Sequence, residues 1–426
     1  MPCFKALWVP FLVISLFSCT FAKFFYMEQT KGKGQGVRRA VDTTRHHREN
    51  GWDYRGRAVY HFTFPVEGRF PLFGTLEGES AERAFIKLNP FGYRVYQILC
   101  GLPQFYAAKG FALKVLAQKV MPDHIHLVIQ VLEPLSQSIG AVVRGFKSAC
   151  TMVYKQEFLS CGENAAEVHS IANRQGNAAE VHGRASQQGN AAALMHFARI
   201  FANRNSIWQQ DAAYYHERIL HAPGQLNRMI NYVKDNPRRL WLKKNNPDLF
   251  RLHRHTEMCG LSFTSLGNHF LLDWHDNQTV EMPRNATVEQ VQKRLQLAMA
   301  AAQNGAVTYT AAISKGEQLI ARTLRKQGYP LVVLLSDGFP KEGSPHERFY
   351  KPGGIYFEAC SKGQLLLLEP TEQTFLNEDI QSAVEGTLRR KAAGRHYGYK
   401  QIPLKSQRYR FVALNEIAKR LARIER

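Results

Sequence analysis

Between residues 111 and 132 the chain runs through two apolar stretches divided only by Met121-Pro122-Asp123. The stretches, roughly 111–120 and 124–132, have the length and the Val, Leu and Ile content of strands. Pro-Asp between them is turn chemistry. Strands joined by so short a turn pair antiparallel, because a parallel pair needs a crossover of a dozen residues or more. Upstream, Tyr60, Phe62 and Phe64 alternate with His61 and Thr63, the period-two mark of another strand. Residues 81–108, with Phe85, Ile86, Tyr96 and Ile98, carry a helical pattern. A second helix over 136–158 gathers Ile139, Val142, Val143, Phe146 and Val153 on one face, with Arg144 and Lys147 elsewhere. A strand is predicted near 214–220. A helix over 225–236 follows, with Leu226, Met229, Ile230 and Val233 as its apolar face and Pro237 as its stop. The order β-α-β-β-α-β-α predicts an α+β fold, helices packed over an antiparallel sheet.

The rest of the chain frames this domain, which spans 59–242. With 426 residues, there is room for two or three domains. The net charge of +21 favours a polyanionic partner, nucleic acid ahead of a membrane surface, although a solvated basic face would give the same composition. The seven cysteines are scattered with no C-x-x-C pair, which argues against a zinc knuckle or a disulfide framework and fits a reducing compartment. Residues 1–58 form a leader. Its first 22 residues, Lys5 and then an apolar run, have the shape of a signal peptide or short anchor. The basic, polar stretch after Met27 looks instead like the start of a cytoplasmic protein. The expectation is therefore a start-site artefact before it, and no membrane unless residues 1–22 are a real anchor. Residues 27–58 make a basic arm.

Within 161–193, Asn-Ala-Ala recurs at 164, 177 and 190, a period of 13 that is too short for a solenoid. This segment reads as a low-complexity insertion on the surface. Residues 243–262, with scattered charge, read as a linker. Beyond it, 263–426 alternate: helix 287–303, strand 305–313, helix 315–327, then strands 330–336 and 364–368. The alternation predicts a parallel α/β sheet in a second domain with a basic tail. Ser314 and Glu317 form a capping box at a helix start. The free N–H groups there, with Ser314 and Gly316, could hold a phosphate, or the motif is a plain cap.

Two polar exceptions stand on the apolar strand 124–132. His124 and His126 are two residues apart, so both imidazoles point to one face and can reach one ion, while Ile125 points into the core. Two hydrogen-bonded histidines on an exposed sheet face would leave the same pattern. On the helix 225–236, Tyr232 and Asn236 lie one turn apart beside the apolar stripe. A boundary tyrosine and an asparagine cap before Pro237 would look alike.

Met121-Pro122-Asp123-His124-Ile125-His126-Leu127 resembles the HUH motif of single-tyrosine transposases, in particular the REP-associated and small insertion-sequence types. Trp52-Asp53-Tyr54-Arg55 leading into Tyr60-His61-Phe62-Thr63 resembles the family's approach to its first strand. Ile207-Trp208-Gln209 and Tyr214-Tyr215-His216 resemble its return segment, and Asn231-Tyr232-Val233-Lys234-Asp235-Asn236-Pro237 its nucleophile helix. The resemblance spans about 52–240. It implies His124 and His126 as metal ligands with Asn236 as the third, Mg2+ or Mn2+ as the ion, and Tyr232 as nucleophile. It also implies cleavage and strand transfer of single-stranded, hairpin-flanked DNA through a 5′-phosphotyrosine. The gap from His126 to Tyr232 is longer than in compact members, and the insertion fills it. Tyr154, at the end of the intervening helix, is a rival nucleophile that lacks an amide at i+4. Arg55, Arg57, Arg144 and Lys147 are candidate phosphate contacts.

Residues 263–370 resemble, more distantly, the Rossmann-like domain of the DprA/Smf family. The likeness rests on Gly305–Thr310, Ser314-Lys315-Gly316-Glu317, Leu331–Leu335 with Asp337-Gly338-Phe339, and Phe357-Glu358-Ala359-Cys360. It implies an accessory nucleic-acid-binding module. Two alternatives to a transposase stay open: a non-catalytic DNA-binding descendant, and a nucleotide-binding protein built on the second domain. Oligomeric state is not legible.

Overall fold

The computed structural model describes residues 49, 51–156, 206–209, 216–340, 354–392, 402–404 and 406–423. The apolar leader 1–22, most of the arm 27–58, the insertion 161–193, Tyr214, Tyr215, and residues Lys351, Pro352 and Gly353 lie outside the described residues, as do Arg395, Lys400 and Lys405 of the tail. The chain divides into two compact units, one within Asp42–Lys244 and one from Asn245 to Arg426.

In the first unit the elements run β1 (Ala58–Pro65), β2 (Gly74–Glu77), β3 (Phe85–Leu88), α1 (Pro90–Ala107), β4 (Leu113–Val120), β5 (His124–Val131), α2 (Gly140–Tyr154), β6 (His216–Ile219) and α3 (Gln225–Asn245). Four strands make an antiparallel sheet in the order β4-β5-β1-β6. The period of two sorts its side chains. Tyr60, Phe62 and Phe64 of β1 join Ile125, Leu127 and Ile129 of β5 in the main core, where Val95 and Leu99 of α1 and Val142 and Phe146 of α2 cover them. His61, Thr63, His126 and Val128 take the other parity. On that side Met229 and Val233 of α3 pack with Val128 and Leu220.

Two predicted boundaries are corrected. The helix expected over 81–108 begins only at Pro90, and Phe85 and Ile86 belong to β3, which pairs with β2. The cause is local: Pro90 stands in the first turn and the Asn89 side chain accepts the Gly92 N–H at 2.8 Å, a capped start that excludes the residues before it. The second correction is Pro237, which does not stop α3; the helix continues to Asn245. An interior proline costs about 3 kcal/mol, through the lost N–H and the ring's clash with the preceding turn. Pro237 itself and Arg239 beyond it are buried, so the continuation is packed against the domain. The Trp241 indole N–H, one turn beyond the proline, donates to the Gly78 carbonyl at 3.2 Å and secures the continuation.

In the second unit follow α4 (Pro247–Phe250), β7 (His253–Met258), β8 (Leu261–Gly267), β9 (Asn277–Thr279), α5 (Val288–Gln303), β10 (Val307–Thr310), α6 (Lys315–Lys326), β11 (Leu331–Leu334), α7 (Gly354–Ser361), β12 (Leu365–Pro370), α8 (Glu372–Phe375), α9 (Glu378–Ala392) and α10 (Gln407–Ala422). The sheet order is β7-β8-β12-β11-β10-β9. Strands β9 to β12 are parallel as expected, but β8 runs antiparallel to β12 and β7 to β8, so the sheet is mixed. The expected linker 243–262 is folded, holding the end of α3, then α4, β7 and the start of β8. Its low apolar content suits β7, an edge strand with only Met258 buried.

Candidate active site on the histidine face

The strand register builds the site. Thr63 of β1 stands opposite His126 of β5 and, on its other side, opposite His216 of β6. Lys119 of β4 completes that cross-strand row beyond His126. His61 sits in the next row, between Val128 and Arg218. Asp123 closes the β4–β5 turn, where its carbonyl accepts the Val66 N–H at 2.9 Å.

A chain of side-chain contacts runs through these positions. Asp123 Oδ1 lies 2.6 Å from His124 Nδ1. His124 Nε2 lies 3.1 Å from His126 Nε2. His126 Nδ1 in turn lies 3.1 Å from His61 Nε2 and 3.0 Å from Thr63 Oγ1. His61, Thr63, His124 and His126 are all buried. Arg69 reaches Asp123 Oδ2 at 3.5 Å.

Helix α3 brings Tyr232 onto this chain. Its ring meets His126 edge-on, with centroids 5.5 Å apart and planes at 73°, and meets His61 at 6.4 Å and 86°. Asn236, buried one turn later, donates from Nδ2 to the Tyr232 carbonyl at 2.8 Å. The Arg239 guanidinium, also buried, lies 5.4 Å from the centre of the Tyr232 ring. Burial pushes the Tyr232 phenol above the ordinary tyrosine range, while Arg239, Arg69, the Asn236 side chain and Arg218 pull in the opposite direction. A half-buried phenol edged by imidazoles and ringed by guanidinium groups is placed to meet an anion.

Residues 101–171 match the family model described as transposase IS200 like. The matched stretch holds β4, the Asp123-His124-Ile125-His126 run and α2, and it ends before Tyr232 and Asn236. Among solved structures, a protein of Deinococcus radiodurans R1 assigned provisionally as a transposase is similar at 13% identity, over 44% of this chain and 95% of that one, with a TM-score of 0.21. A likeness at that score carries no argument. The search of curated proteins gives no match. Nothing in these comparisons supports the resemblance of residues 263–370 to DprA/Smf proteins.

β5 and α3 thus bring Tyr232 against His126, which faces His124, while Asn236 contacts Tyr232. The other predicted residues fall elsewhere. Tyr154 lies in the main core, its ring against Phe91 at 5.2 Å, beneath the sheet face that the histidines do not use. Arg144 is exposed and Lys147 half-buried on α2, which covers that same core face. Arg55 and Arg57 are exposed just before β1, whose far end, Pro65, pairs with His124. Eight residues at about 3.3 Å each separate Arg57 from the strand end that pairs with His124. In the second unit, the Ser314 hydroxyl accepts the Glu317 N–H at 3.1 Å, and the Glu317 carboxylate accepts N–H groups from Met282, Ile313 and Ser314 at 2.8, 2.6 and 3.0 Å. A Cβ on Gly316 would stand 3.0 Å from Val291. The start of α6 is filled by its own glutamate and packed against α5, the plain-cap arrangement.

Sequence reasoning named the histidine pair, the tyrosine and the asparagine but missed four partners: His61, Thr63, Asp123 and Arg239. The first two carried a signal, since His61 and Thr63 share a strand face. Asp123 was visible only as a turn residue, and Arg239 was hidden behind a helix end that does not occur.

The donor set can be tested against a divalent ion. Asp123 is an acceptor when ionised, so His124 carries its proton on Nδ1 and presents a bare Nε2. Two ligands about 2.1 Å from one ion at a right angle lie about 3.0 Å apart, close to the 3.1 Å between the two Nε2 atoms. The carboxylate behind His124 is the usual outer partner of a metal-bound imidazole. Among the described residues, no group of three or more His, Cys, Asp or Glu side chains is arranged to hold an ion. A site here therefore rests on two imidazoles and a neutral oxygen donor. Two neutral imidazoles and an amide leave an ion's charge undiluted and leave positions open for phosphate and water, as Mg2+ or Mn2+ prefers, although imidazole is by itself a donor for softer ions such as Zn2+ as well.

Proposed function

We propose that the first unit cuts and rejoins single-stranded DNA, with Tyr232 as nucleophile, as a transposase of the single-tyrosine type. The observation that carries this reading is the Tyr232 ring set edge-on against His126, whose Nε2 faces the Nε2 of His124 at 3.1 Å. The Tyr232 oxygen attacks phosphorus, an O–P bond forms, and the bond from phosphorus to the 3′-oxygen breaks. The phenol proton passes to solvent, and the leaving oxygen takes one to become a free 3′-hydroxyl. The product is a 5′-phosphotyrosine, whose bond energy permits rejoining without a nucleotide cofactor. Mg2+ or Mn2+, held by Nε2 of His124 and His126 and by the Asn236 amide oxygen, would set positive charge against the phosphate oxygens. The protein's own residues do the rest: Asp123 orients His124, α3 packing fixes Tyr232, and Arg239, Arg69 and Arg218 favour an anion beside the phenol. The partner is single-stranded DNA, in keeping with the net charge of +21. Among the described residues no helix is long and apolar enough to cross a membrane.

The test is a denaturant-resistant adduct between the full chain and single-stranded oligonucleotides from its genomic flanks with Mn2+. Tyr232→Phe should abolish the adduct and keep DNA binding, and chelation by EDTA should abolish it in the wild type. An adduct that survives Tyr232→Phe but not Tyr154→Phe would move the nucleophile. Binding with no adduct under any condition would leave a DNA-binding descendant.

A further inference from the structure

A DNA strand brings phosphates that need cations, yet Arg144 and Lys147 ride on α2 over the opposite face of the sheet, and Arg57 stands at the far end of β1. Lys119 is on the histidine face. It lies directly opposite His126 in the β4–β5 ladder. Side chains so placed in an antiparallel pair share a face, with Cβ atoms about 4.5–5.5 Å apart. Ala117, two residues earlier and of the same parity, packs against the cluster of Met229 and Val233, so this is the face that α3 and Tyr232 cover. β4 is an edge strand, and no further strand of the sheet lies outside it.

The Lys119 ammonium is half-buried, and among the described residues no carboxylate, carbonyl or hydroxyl accepts a hydrogen bond from it. Asp123, in the turn that follows β4, faces His124 and Arg69 instead. Burial pulls Lys119 below the ordinary lysine value, with no carboxylate to offset the effect. An ammonium only donates, so what it lacks is an acceptor. Half-burying a cation without a counterion costs stability, and a bound phosphate would offset that cost.

We propose that Lys119 binds a backbone phosphate of the single strand beside the histidine pair, so that the strand passes over the β4 edge of the sheet. The inference rests on the reading of the site given above and adds the path of the strand to it. Lys114, also on β4, supplies a comparison. It stands opposite Gln130, on the same face as Lys119 but four residues further along β5 than His126, and it is exposed.

The experiment titrates the full chain, in EDTA, against a fluorescent single-stranded oligonucleotide from its genomic flanks over a range of salt. Wild type, Lys119→Met, Lys119→Gln, Lys119→Arg and Lys114→Met are compared. Each phosphate of the oligonucleotide is also replaced in turn by a neutral methylphosphonate. Lys119→Met and Lys119→Gln should each reduce the salt slope by ~0.7, the value of one single-strand phosphate contact, and Lys119→Arg should keep it. One methylphosphonate position should weaken binding by the wild type and cost nothing further in Lys119→Met. An unchanged slope in the neutral variants overturns the contact. So does an equal loss of slope in Lys114→Met with no position that couples to Lys119, since that is a diffuse field. Adduct formation with Mn2+ is recorded for the wild type. A wild type that binds through Lys119 but never forms an adduct defeats the nuclease reading and leaves the contact standing. An adduct in the wild type, with a slope that ignores Lys119, defeats the contact alone. If neither neutral variant folds, amine acylation of the wild type decides: the oligonucleotide should shield Lys119, and equal labelling with and without it refutes the contact.

Discussion

Replacing Lys147 with methionine should stabilise the protein at neutral pH, and the gain should vanish in alkali. Burial on α2 lowers the Lys147 ammonium from its ordinary value of 10.5 to about 8. The difference is about 2.5 units, and at 1.36 kcal/mol per unit the ceiling is about 3.4 kcal/mol. Solvent still reaches a half-buried side chain, so about 1–2 kcal/mol is the usable figure. A lysine whose folded value is depressed contributes stability above its unfolded value and loses it as pH falls through the folded one. The wild type therefore carries the full penalty below about pH 8 and little of it above about pH 10.5. Methionine has a similar length and no charge to desolvate, so Lys147→Met removes a penalty that exists only at the lower pH. Urea unfolding at pH 7 and pH 10.5, followed through the transition of the first unit, measures the difference. The expected shift in midpoint at pH 7 is roughly 0.5 M, for a slope of about 2–3 kcal/mol per molar. An equal gain at both pH values would mean that apolar packing, and not charge, is responsible. A loss at pH 7 would mean that the ammonium has partners worth more than its burial costs. Because α2 covers the sheet face opposite the histidines, adduct formation should be unchanged. A salt slope for DNA binding smaller by ~0.7 would instead make Lys147 a phosphate contact.

Asp123→Asn should weaken Mn2+ binding about 10–100-fold without unfolding the chain, since it replaces the acceptor behind His124 by a group that can also donate; unchanged affinity would remove Asp123 from the site. Burial raises the Tyr232 phenol, so the rate of adduct formation should keep climbing as pH rises through the ordinary tyrosine range. A plateau near neutral pH would show that the phenol proton is not what limits the reaction. Glu317→Ala should destabilise the second unit by at least about 2 kcal/mol, because two buried backbone N–H groups and one partly buried one lose their acceptor, at about 1–3 kcal/mol for each buried group. If thermal unfolding barely moves and the variant gains affinity for inorganic phosphate, the start of α6 is an anion site that the glutamate only occupies.

Much of the first unit was legible because its signals are local. The alternation of Tyr60, Phe62 and Phe64, the turn at Asp123, and the stripe Met229–Val233 each follow from side chains within one element, and the structure places each as expected. What failed were readings that depended on partners outside the segment being read, some close in sequence and one far. Phe85 and Ile86 fit a helical period, yet β2 supplies a strand partner and Asn89 supplies a cap. Residues 253–258 look like a linker until β8 is placed beside them. Pro237 is a strong stop signal by propensity, but Trp241 finds an acceptor at Gly78, 163 residues away in sequence. Arg239 exists as a site residue only because that signal was overridden.

The histidine face and the aromatic core are two consequences of one register. On β1, Tyr60, Phe62 and Phe64 are essentially fully buried, while His61 and Thr63, between them, are the ones that reach His126. A slip of one residue in the β1–β5 pairing would exchange the two sets, putting three aromatic rings under α3 and two polar side chains against α1 and α2. Burying each of the three rings is worth about 1.5–3 kcal/mol, and the slip would forfeit most of that while leaving His61 and Thr63 without partners. The sum is of the order of the whole stability of a domain. The distances among His61, Thr63, His126 and His124 are thus held less by their own hydrogen bonds than by the rings on the reverse of the same strand. A substitution such as Phe62→Ala should loosen the site without touching it.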